Sequence, residues 1–144
     1  MTTHIVYIGL GSNLGDGPRH LDDAIALLGQ RAGDVLCTST YIESEPWGFE
    51  SAHRFTNAVT ALRTTLEPLA LLDVTQQIER EMGRTDKRSH RNEPYHDRII
   101  DIDLLRYDDL QYADDRLVLP HPLIDERPFV SLPLKECEEK VYNI

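Results

Sequence analysis

The sequence predicts an α+β fold in which an antiparallel sheet carries helices on one face. Short apolar or alternating segments, which are typical of strands, are interspersed with two amphipathic segments, which are typical of helices. Their order along the chain is strand, helix, strand, strand, helix, strand. Because 144 residues suit one hydrophobic core, we expect residues 1–144 to form a single domain.

The first half of the chain predicts three strands and one helix. Residues 5–10 are a β-rich apolar run and predict a buried strand. Apolar residues at helical spacing over 21–28 predict a helix that is ended by Gly29 and Gly33. Segments rich in β-branched and aromatic residues predict the second and third strands, at residues 37–42 and 55–62.

The second half begins with the clearest helical pattern. Pro68 suits the first turn of this helix, and Gly83 suits its end. Between them, residues recur at helical intervals, at Leu71, Thr75, Ile78 and Met82. Residues 99–107 predict a strand, which is followed by a hairpin through Tyr112 to residues 117–119. The whole order matches the split βαβ, ferredoxin-like arrangement, with a C-terminal hairpin and helical extension.

The charge and the ends of the chain exclude some classes of protein. Fifteen Lys and Arg against 25 Asp and Glu give a net charge of −10, whereas proteins that coat nucleic acid or anionic membranes present positive surfaces. We therefore expect neither partner, and the sequence leaves protein partners unknown. The N-terminus lacks the pattern of a secretory signal, so we expect a cytoplasmic location. Cys37 and Cys137 are expected to be free thiols, with a single bridge as the alternative.

Two carboxylates lie two residues apart in the apolar segment RIIDIDLL, at residues 98–105. Strand geometry places Asp101 and Asp103 on one face, roughly 6.5–7 Å apart at the backbone. Two neighbouring carboxylates repel each other beside a core, and a divalent cation removes that penalty. Mg²⁺ suits them because it combines one or two carboxylates with substrate phosphates. The alternative is an exposed edge strand whose aspartates are simply hydrated.

A basic segment precedes this strand. Residues 84–98 contain five basic and three acidic residues, so their net charge is +2 and the rest of the chain carries −12. The segment has few apolar residues, and we expect a mobile lid whose arginines grip phosphate oxygens. The alternative is a solvated charged loop.

Three other residue types are candidates for ligand binding. Phe55 and Asn57 share a strand face, and an aromatic ring beside an amide can stack on a flat heterocycle and hydrogen-bond its edge. Phe129 could supply a second stacking surface. His121 lies between two prolines in LPHP. The alternatives are that the aromatic residues belong to the core, that Asn57 caps a loop and that His121 is a structural hydrogen-bonding residue.

Several motifs together resemble one known family, over residues 5–136. They are GLGSNLGD at 9–16, EPWG at 45–48, FTNAV at 55–59, QIEREMGR at 77–84, RIIDIDLL at 98–105, LPHP at 119–122 and RPFVSLPL at 127–134. Their order and spacing resemble those of the 6-hydroxymethyl-7,8-dihydropterin pyrophosphokinases. Jointly, these motifs are highly specific.

The resemblance implies a diphosphotransferase of folate biosynthesis with a ferredoxin-like fold. MgATP would donate diphosphate to the hydroxymethyl group of 6-hydroxymethyl-7,8-dihydropterin, and AMP would be released. The residues implied to be catalytic are Arg84, Arg98, Asp101 and Asp103, of which the two aspartates would hold two Mg²⁺. The residues implied to bind ATP are Gln76, Arg84, Arg98, Leu104, Arg116 and His121. Those implied to bind the pterin are Ser44, Pro46, Trp47, Phe55, Asn57, Asp101 and Phe129. Three more would lie near the site: Glu79, Tyr95 and Arg127.

The sequence departs from this family in the basic segment, which is longer than in the best-known members. Tyr95 stands where those members carry Trp, and three basic residues have no aligned counterpart: Lys87, Arg88 and Arg91.

Two other functions remain open from the residues alone. A small ligand-binding regulatory domain could share the fold and would not need Asp101 and Asp103. A metal-dependent phosphodiesterase or nuclease could use the same pair, although the acidic remainder of the chain disfavours a long nucleic acid track.

Overall fold

A computed structural model describes residues 2–45, 54–83 and 99–144. Five strands of these ranges form one antiparallel sheet, in the order β2-β4-β1-β5, with β3 paired to β4. The strands of the sheet are β1 (His4–Ser12), β2 (Asp34–Thr38), β3 (Ile42–Ser44), β4 (Phe55–Thr64) and β5 (Asp101–Tyr107). A separate hairpin follows, formed by β6 (Tyr112–Ala113) and β7 (Val118–Leu119). The three helices are α1 (Gly17–Arg31), α2 (Pro68–Glu81) and α3 (Pro128–Tyr142).

Helices α1 and α2 pack on one face of the sheet, as the sequence predicts. The Asp16 carboxylate accepts the Arg19 N–H at 3.2 Å and starts α1. The helix continues through Gly29 to Arg31 and so ends between the two glycines that were expected to end it, two residues before Gly33. For α2, Pro68 occupies the first turn, and Gly83 follows the helix with φ of +107°, a conformation that glycine adopts without strain. The buried helical residues form one core with the sheet, and include Leu21, Leu28, Leu71 and Ile78.

Helix α3 covers part of the opposite face, so the expectation of helices on one face is incomplete. Leu134 and Cys137 of α3 pack with Val59 of β4 and Leu105 of β5 in a second, smaller core. The Arg106 guanidinium also donates a hydrogen bond to Glu138 of α3. The ferredoxin-like order of the sheet is confirmed, and α3 packs on part of its second face.

The predicted strand at 37–42 is two strands, because Ser39 interrupts the ladder. Its N–H donates to Val59 O at 2.8 Å, and its hydroxyl oxygen accepts the Val59 N–H at 2.9 Å. The side chain therefore replaces a backbone partner. Thr40 then turns away and donates its N–H to Glu136 of α3 at 2.9 Å. The chain re-enters the sheet only at Ile42.

An extra residue in β5 shifts its register against β1. Ile8 pairs with Leu104, but Tyr7 pairs with Arg106, so Leu105 is the bulged residue. Leu105 lies in the second core, while Leu104 lies in the larger core beneath α1 and α2. The strand itself begins at Asp101, two residues after the predicted start.

None of the helices in the described ranges is long and apolar enough to cross a membrane.

Candidate active site

A row of paired residues runs across three strands at one end of the second face of the sheet. Gly11 of β1 pairs with Asn57 of β4 on one side and with Asp101 of β5 on the other. In the next row, Gly9 pairs with Asp103. Cross-strand partners share a face, and glycine adds no side chain there. The two glycines therefore form a floor without β1 side chains between the amide on β4 and the carboxylates on β5, and the Leu105 and Phe55 side chains lie against it.

The two aspartates lie on one face of β5, as the sequence predicts. Asp101 and Asp103 are half-buried, whereas Ile102 and Leu104 are buried in the larger core on the other face. The aspartates therefore line the open end of the sheet without belonging to either core.

The aromatic and amide residues lie beside the floor. The Asn57 amide nitrogen donates to the Ser44 hydroxyl at 2.7 Å, which orients the amide. A Cβ atom at Gly11 would lie 3.2 Å from Asn57 Oδ1 and 3.5 Å from Phe55 Cδ1, so both side chains lie against this glycine. Phe129 is half-buried in the first turn of α3. Three of the residues predicted to bind the pterin, Ser44, Phe55 and Asn57, thus lie together at one end of the sheet.

An open cleft of about 470 Å³ adjoins the aspartates. It lies between α2, β5, the hairpin and the segment that leads to α3. The predicted residues that line it are Gln76, Glu79, Asp101, Asp103, Leu104, Arg116, His121 and Arg127. Leu104 has a buried side chain, with 3 % of its surface exposed, so its backbone is the part that a ligand could reach.

Arg116 reaches the cleft from the hairpin and is held by α2. One guanidinium nitrogen lies 2.6 Å from Asp73 Oδ1 and 3.3 Å from Gln76 Oε1. The pair is exposed, so solvent weakens it and a ligand phosphate could compete for the arginine.

His121 is held in place by one hydrogen bond of its backbone and one of its ring. Its N–H donates to Leu105 O at 2.9 Å, and its Nδ1 accepts the Leu123 N–H at 3.1 Å. Burial lowers the pKa of His121, the Arg127 cation lowers it further, and Asp101 opposes both effects. The ring is therefore biased towards its neutral form, with the proton on Nε2.

Several predicted residues lie outside the described ranges, and their assignments stay predictions. They are Pro46, Trp47 and Gly48 of the first loop, and Arg84, Lys87, Arg88, Arg91, Tyr95 and Arg98 of the basic segment.

Some residues of the site were not predicted from the sequence. Gly9 and Gly11 are too short a motif for a phosphate loop, and their alternation along a strand is instead the signal of a sheet face without side chains. Leu72 lines the cleft, and it lies on the same helical stripe as Gln76 and Glu79. Asp73, which holds Arg116, gives no local signal because its partner lies 43 residues away.

The donor chemistry of the aspartate pair fits Mg²⁺. Both side chains offer hard carboxylate oxygens at the border of an open cleft. Within 2–45, 54–83 and 99–144, no group of three or more His, Cys, Asp and Glu side chains could hold a metal ion. The described part of the chain thus offers two carboxylates rather than a closed cage, and Mg²⁺ commonly completes such a shell with water and phosphate oxygens.

The fold and the site define a class: an α+β protein of ferredoxin-like topology with a polar cleft at one end of its sheet. A family model described as 7,8-dihydro-6-hydroxymethylpterin-pyrophosphokinase (HPPK) matches residues 7–139. The chain belongs to this family. The family and the enzyme class that the sequence motifs predict are therefore confirmed.

Curated relatives named 2-amino-4-hydroxy-6-hydroxymethyldihydropteridine pyrophosphokinase support the assignment. The protein from Porphyromonas gingivalis is 49% identical over 133 residues, which cover 92% of this chain and 89% of the relative. The protein from Bacillus subtilis is 40% identical over 139 residues, which cover 96% of this chain and 80% of the relative.

Solved structures support the fold. An HPPK-DHPS of Plasmodium falciparum aligns with a TM-score of 0.75 at 16% identity over 96% of this chain. An HPPK-DHPS solved in complex with substrates aligns with a TM-score of 0.71 at 14% identity, again over 96% of the chain. The chain spans about two fifths of these longer proteins, 40% and 41% respectively.

Proposed function

We propose that the protein transfers diphosphate from MgATP to the hydroxymethyl group of 6-hydroxymethyl-7,8-dihydropterin and releases AMP, as a step of folate biosynthesis. The observation that carries the proposal is the row in which Asn57, Gly11 and Asp101 cross the sheet. This row joins a surface suited to a flat heterocycle to a pair of carboxylates suited to a metal–phosphate group.

On the acceptor side, the chain would bind and orient the pterin. Gly11 puts no side chain in the way of a flat ring, and Phe55 and Phe129 would stack on the faces of that ring. The hydrogen bond to Ser44 already orients the Asn57 amide. The amide would therefore lose little conformational entropy when it bonds the edge of the ring. Holding the hydroxymethyl group beside Asp101 would place its oxygen for in-line attack on the β-phosphorus of ATP.

On the donor side, the chain would neutralise and align the phosphates. Arg116 and His121 line the cleft, and neutral His121 offers Nε2–H as a hydrogen-bond donor. Asp101 and Asp103 would hold two Mg²⁺. When bound there, Mg²⁺ would supply positive charge that lowers the cost of charge developing on the transferred phosphates. The roles of Arg84 and Arg98 at the phosphates are proposed from the resemblance alone.

One assay tests the reaction. The protein is incubated with ATP, Mg²⁺ and the hydroxymethyldihydropterin, and nucleotide products are separated. AMP that forms only when the pterin is present supports the proposal. ADP, nucleic acid cleavage or no product would favour a nuclease or a regulatory domain instead.

The first prediction concerns the aspartates. Replacing either Asp101 or Asp103 with Asn should lower AMP formation by at least a thousandfold, because a metal–phosphate group worth several kcal/mol in the transition state loses a ligand. Asp109→Asn is the matched control, since Asp109 is exposed in the turn at the far end of β5. Near-normal turnover in either site variant, with the fold intact by circular dichroism, contradicts the metal assignment.

The cytoplasmic location remains a prediction from the sequence.

A further inference from the structure

We propose that Glu79 is a positioning residue: its buried carboxyl group fixes the backbone between the two aspartates of the cleft. The inference deepens the proposed function and rests on it only where Asp101 and Asp103 are taken to hold the metal. The hydrogen bond that carries the inference is independent of any ligand.

The carboxyl group of Glu79 crosses from helix to strand. Its Oε2 accepts the N–H of Ile102 at 2.8 Å, and only 4 % of the residue is exposed. Burying a carboxyl group is costly unless it is hydrogen-bonded, and this bond offsets part of that cost. Apolar side chains would fill the same space more cheaply, so the placement of a carboxyl group here calls for an explanation.

The position of the bond on β5 supplies that explanation. The Ile102 N–H belongs to the peptide group that joins Asp101 to Ile102, so the hydrogen bond holds the backbone of Asp101 directly and that of Asp103 through the next residue of the strand. In the described sheet β5 is the last strand of the order, with β1 as its neighbour. Further along β5, Leu105 O accepts the His121 N–H at 2.9 Å. Two contacts therefore hold β5. Glu79 holds the end that carries the aspartates, and His121 holds the strand further along.

Helix α2 gives Glu79 a rigid base. The preceding residue, Ile78, is fully buried in the larger core. Thr75, one turn earlier, is also fully buried, and its hydroxyl bonds Leu72 O at 2.8 Å within the helix. A side chain mounted on such an element can hold a strand to the tolerance of a few tenths of an ångström that a functional site needs.

Three variants separate positioning from general stability. Glu79→Gln keeps an oxygen that can accept the Ile102 N–H. Glu79→Leu fills similar volume and removes the acceptor. Thr75→Val is the matched control, because it removes a buried hydrogen bond one turn away on the same helix, and the acceptor of that bond is Leu72 of α2 rather than a residue of β5.

Two readouts apply to each variant. The first is amide hydrogen exchange at Ile102, followed by NMR in the free protein. The second is binding of Mg²⁺ with the α,β-methylene analogue of ATP, which resists cleavage at the bond that the reaction breaks, measured by calorimetry.

We expect Glu79→Leu to speed exchange at Ile102 at least tenfold and to weaken Mg²⁺–analogue binding at least tenfold. Glu79→Gln should stay within about threefold of the wild type in both, and Thr75→Val should lower the melting temperature without either change. Equal binding in Glu79→Leu and Thr75→Val would overturn the proposal, as would unchanged exchange at Ile102. Failure of the wild-type protein to form AMP would instead overturn the proposed function and leave the exchange result standing.

Discussion

At His121, two hydrogen bonds decide which ring nitrogen a ligand can meet. Nδ1 already accepts the Leu123 N–H, and the backbone N–H is committed to Leu105 O. The remaining nitrogen, Nε2, carries the proton of the neutral ring. A neutral donor suits a phosphate oxygen without adding a charge that would have to be desolvated beside Arg127.

This arrangement predicts an acid sensitivity of His121. Burial and Arg127 lower its pKa below the ordinary 6.5, so the unfolded chain takes up the proton more readily than the folded protein. Stability is therefore fully present above pH 6.5 and declines as the pH falls towards the folded pKa. An NMR titration of the ring should give a midpoint below 6.5, and His121→Gln should remove this part of the acid loss. A midpoint at or above 6.5 contradicts the prediction.

At the scale of elements, the connection from α1 to β2 depends on close approach of two backbones. A Cβ atom at Gly33 would lie 2.1 Å from the carbonyl oxygen of Arg63 in β4, and a backbone atom cannot move aside cheaply. Gly29, inside α1, has room for a side chain. A Cβ atom there would lie 3.6 Å from Val35 Cγ2, which is an ordinary contact distance.

The two glycines therefore predict opposite outcomes for one substitution. Gly33→Ala should lower the free energy of unfolding by about 1–3 kcal/mol or more, as overpacking does. Gly29→Ala should raise it by about 0.5–1 kcal/mol, because alanine favours a helix interior. Urea unfolding of both variants measures the difference, and a change of the same sign in both would contradict this account.

Helix α3 shows where local patterns stop being informative. Its sequence contains Pro128 in the first turn and Pro133 within the helix, and prolines at such spacing are usually typical of turns and loops. The extension was predicted, but the sheet face that it covers depends on contacts with residues about 75 to 100 positions earlier, such as Thr40 with Glu136. By contrast, α2 was predicted closely, because its spacing and its two terminal residues are all local signals.

For the whole molecule, the sheet carries a core on each face, and β5 contributes to both. Loss of the smaller core should therefore weaken the entire fold rather than release α3 alone. Alternation of period two predicts that the aspartate pair shares one face of β5 and that Phe55 and Asn57 share one face of β4, as the structure shows. The cleft walls could not be predicted in this way, because they combine α2, the hairpin and β5 through non-local packing.

Leu134 tests this coupling between the two cores. It is 2 % exposed in the smaller core, and Leu134→Ala should cost about 2–5 kcal/mol. Leu132→Ala on the same helix is the matched control, since Leu132 is 64 % exposed and should change stability by less than about 0.5 kcal/mol. Urea transitions followed by circular dichroism and by loss of AMP formation should coincide. Activity lost well before helicity would mean that the two cores unfold separately.

The bulge at Leu105 changes which side chains of β5 point to each face of the sheet. Before it, the odd-numbered Asp101 and Asp103 share the open face; after it, Arg106 faces α3 although its number is even, and Tyr107 joins the larger core. Without the bulge, side chains would alternate regularly, and the Arg106 guanidinium would point into the apolar core beneath α1 and α2. The bulge thus lets the first part of β5 present the aspartates of the candidate site, while the last part attaches the strand to α3 and to the larger core. The side chains in these two parts of β5 are therefore oriented independently.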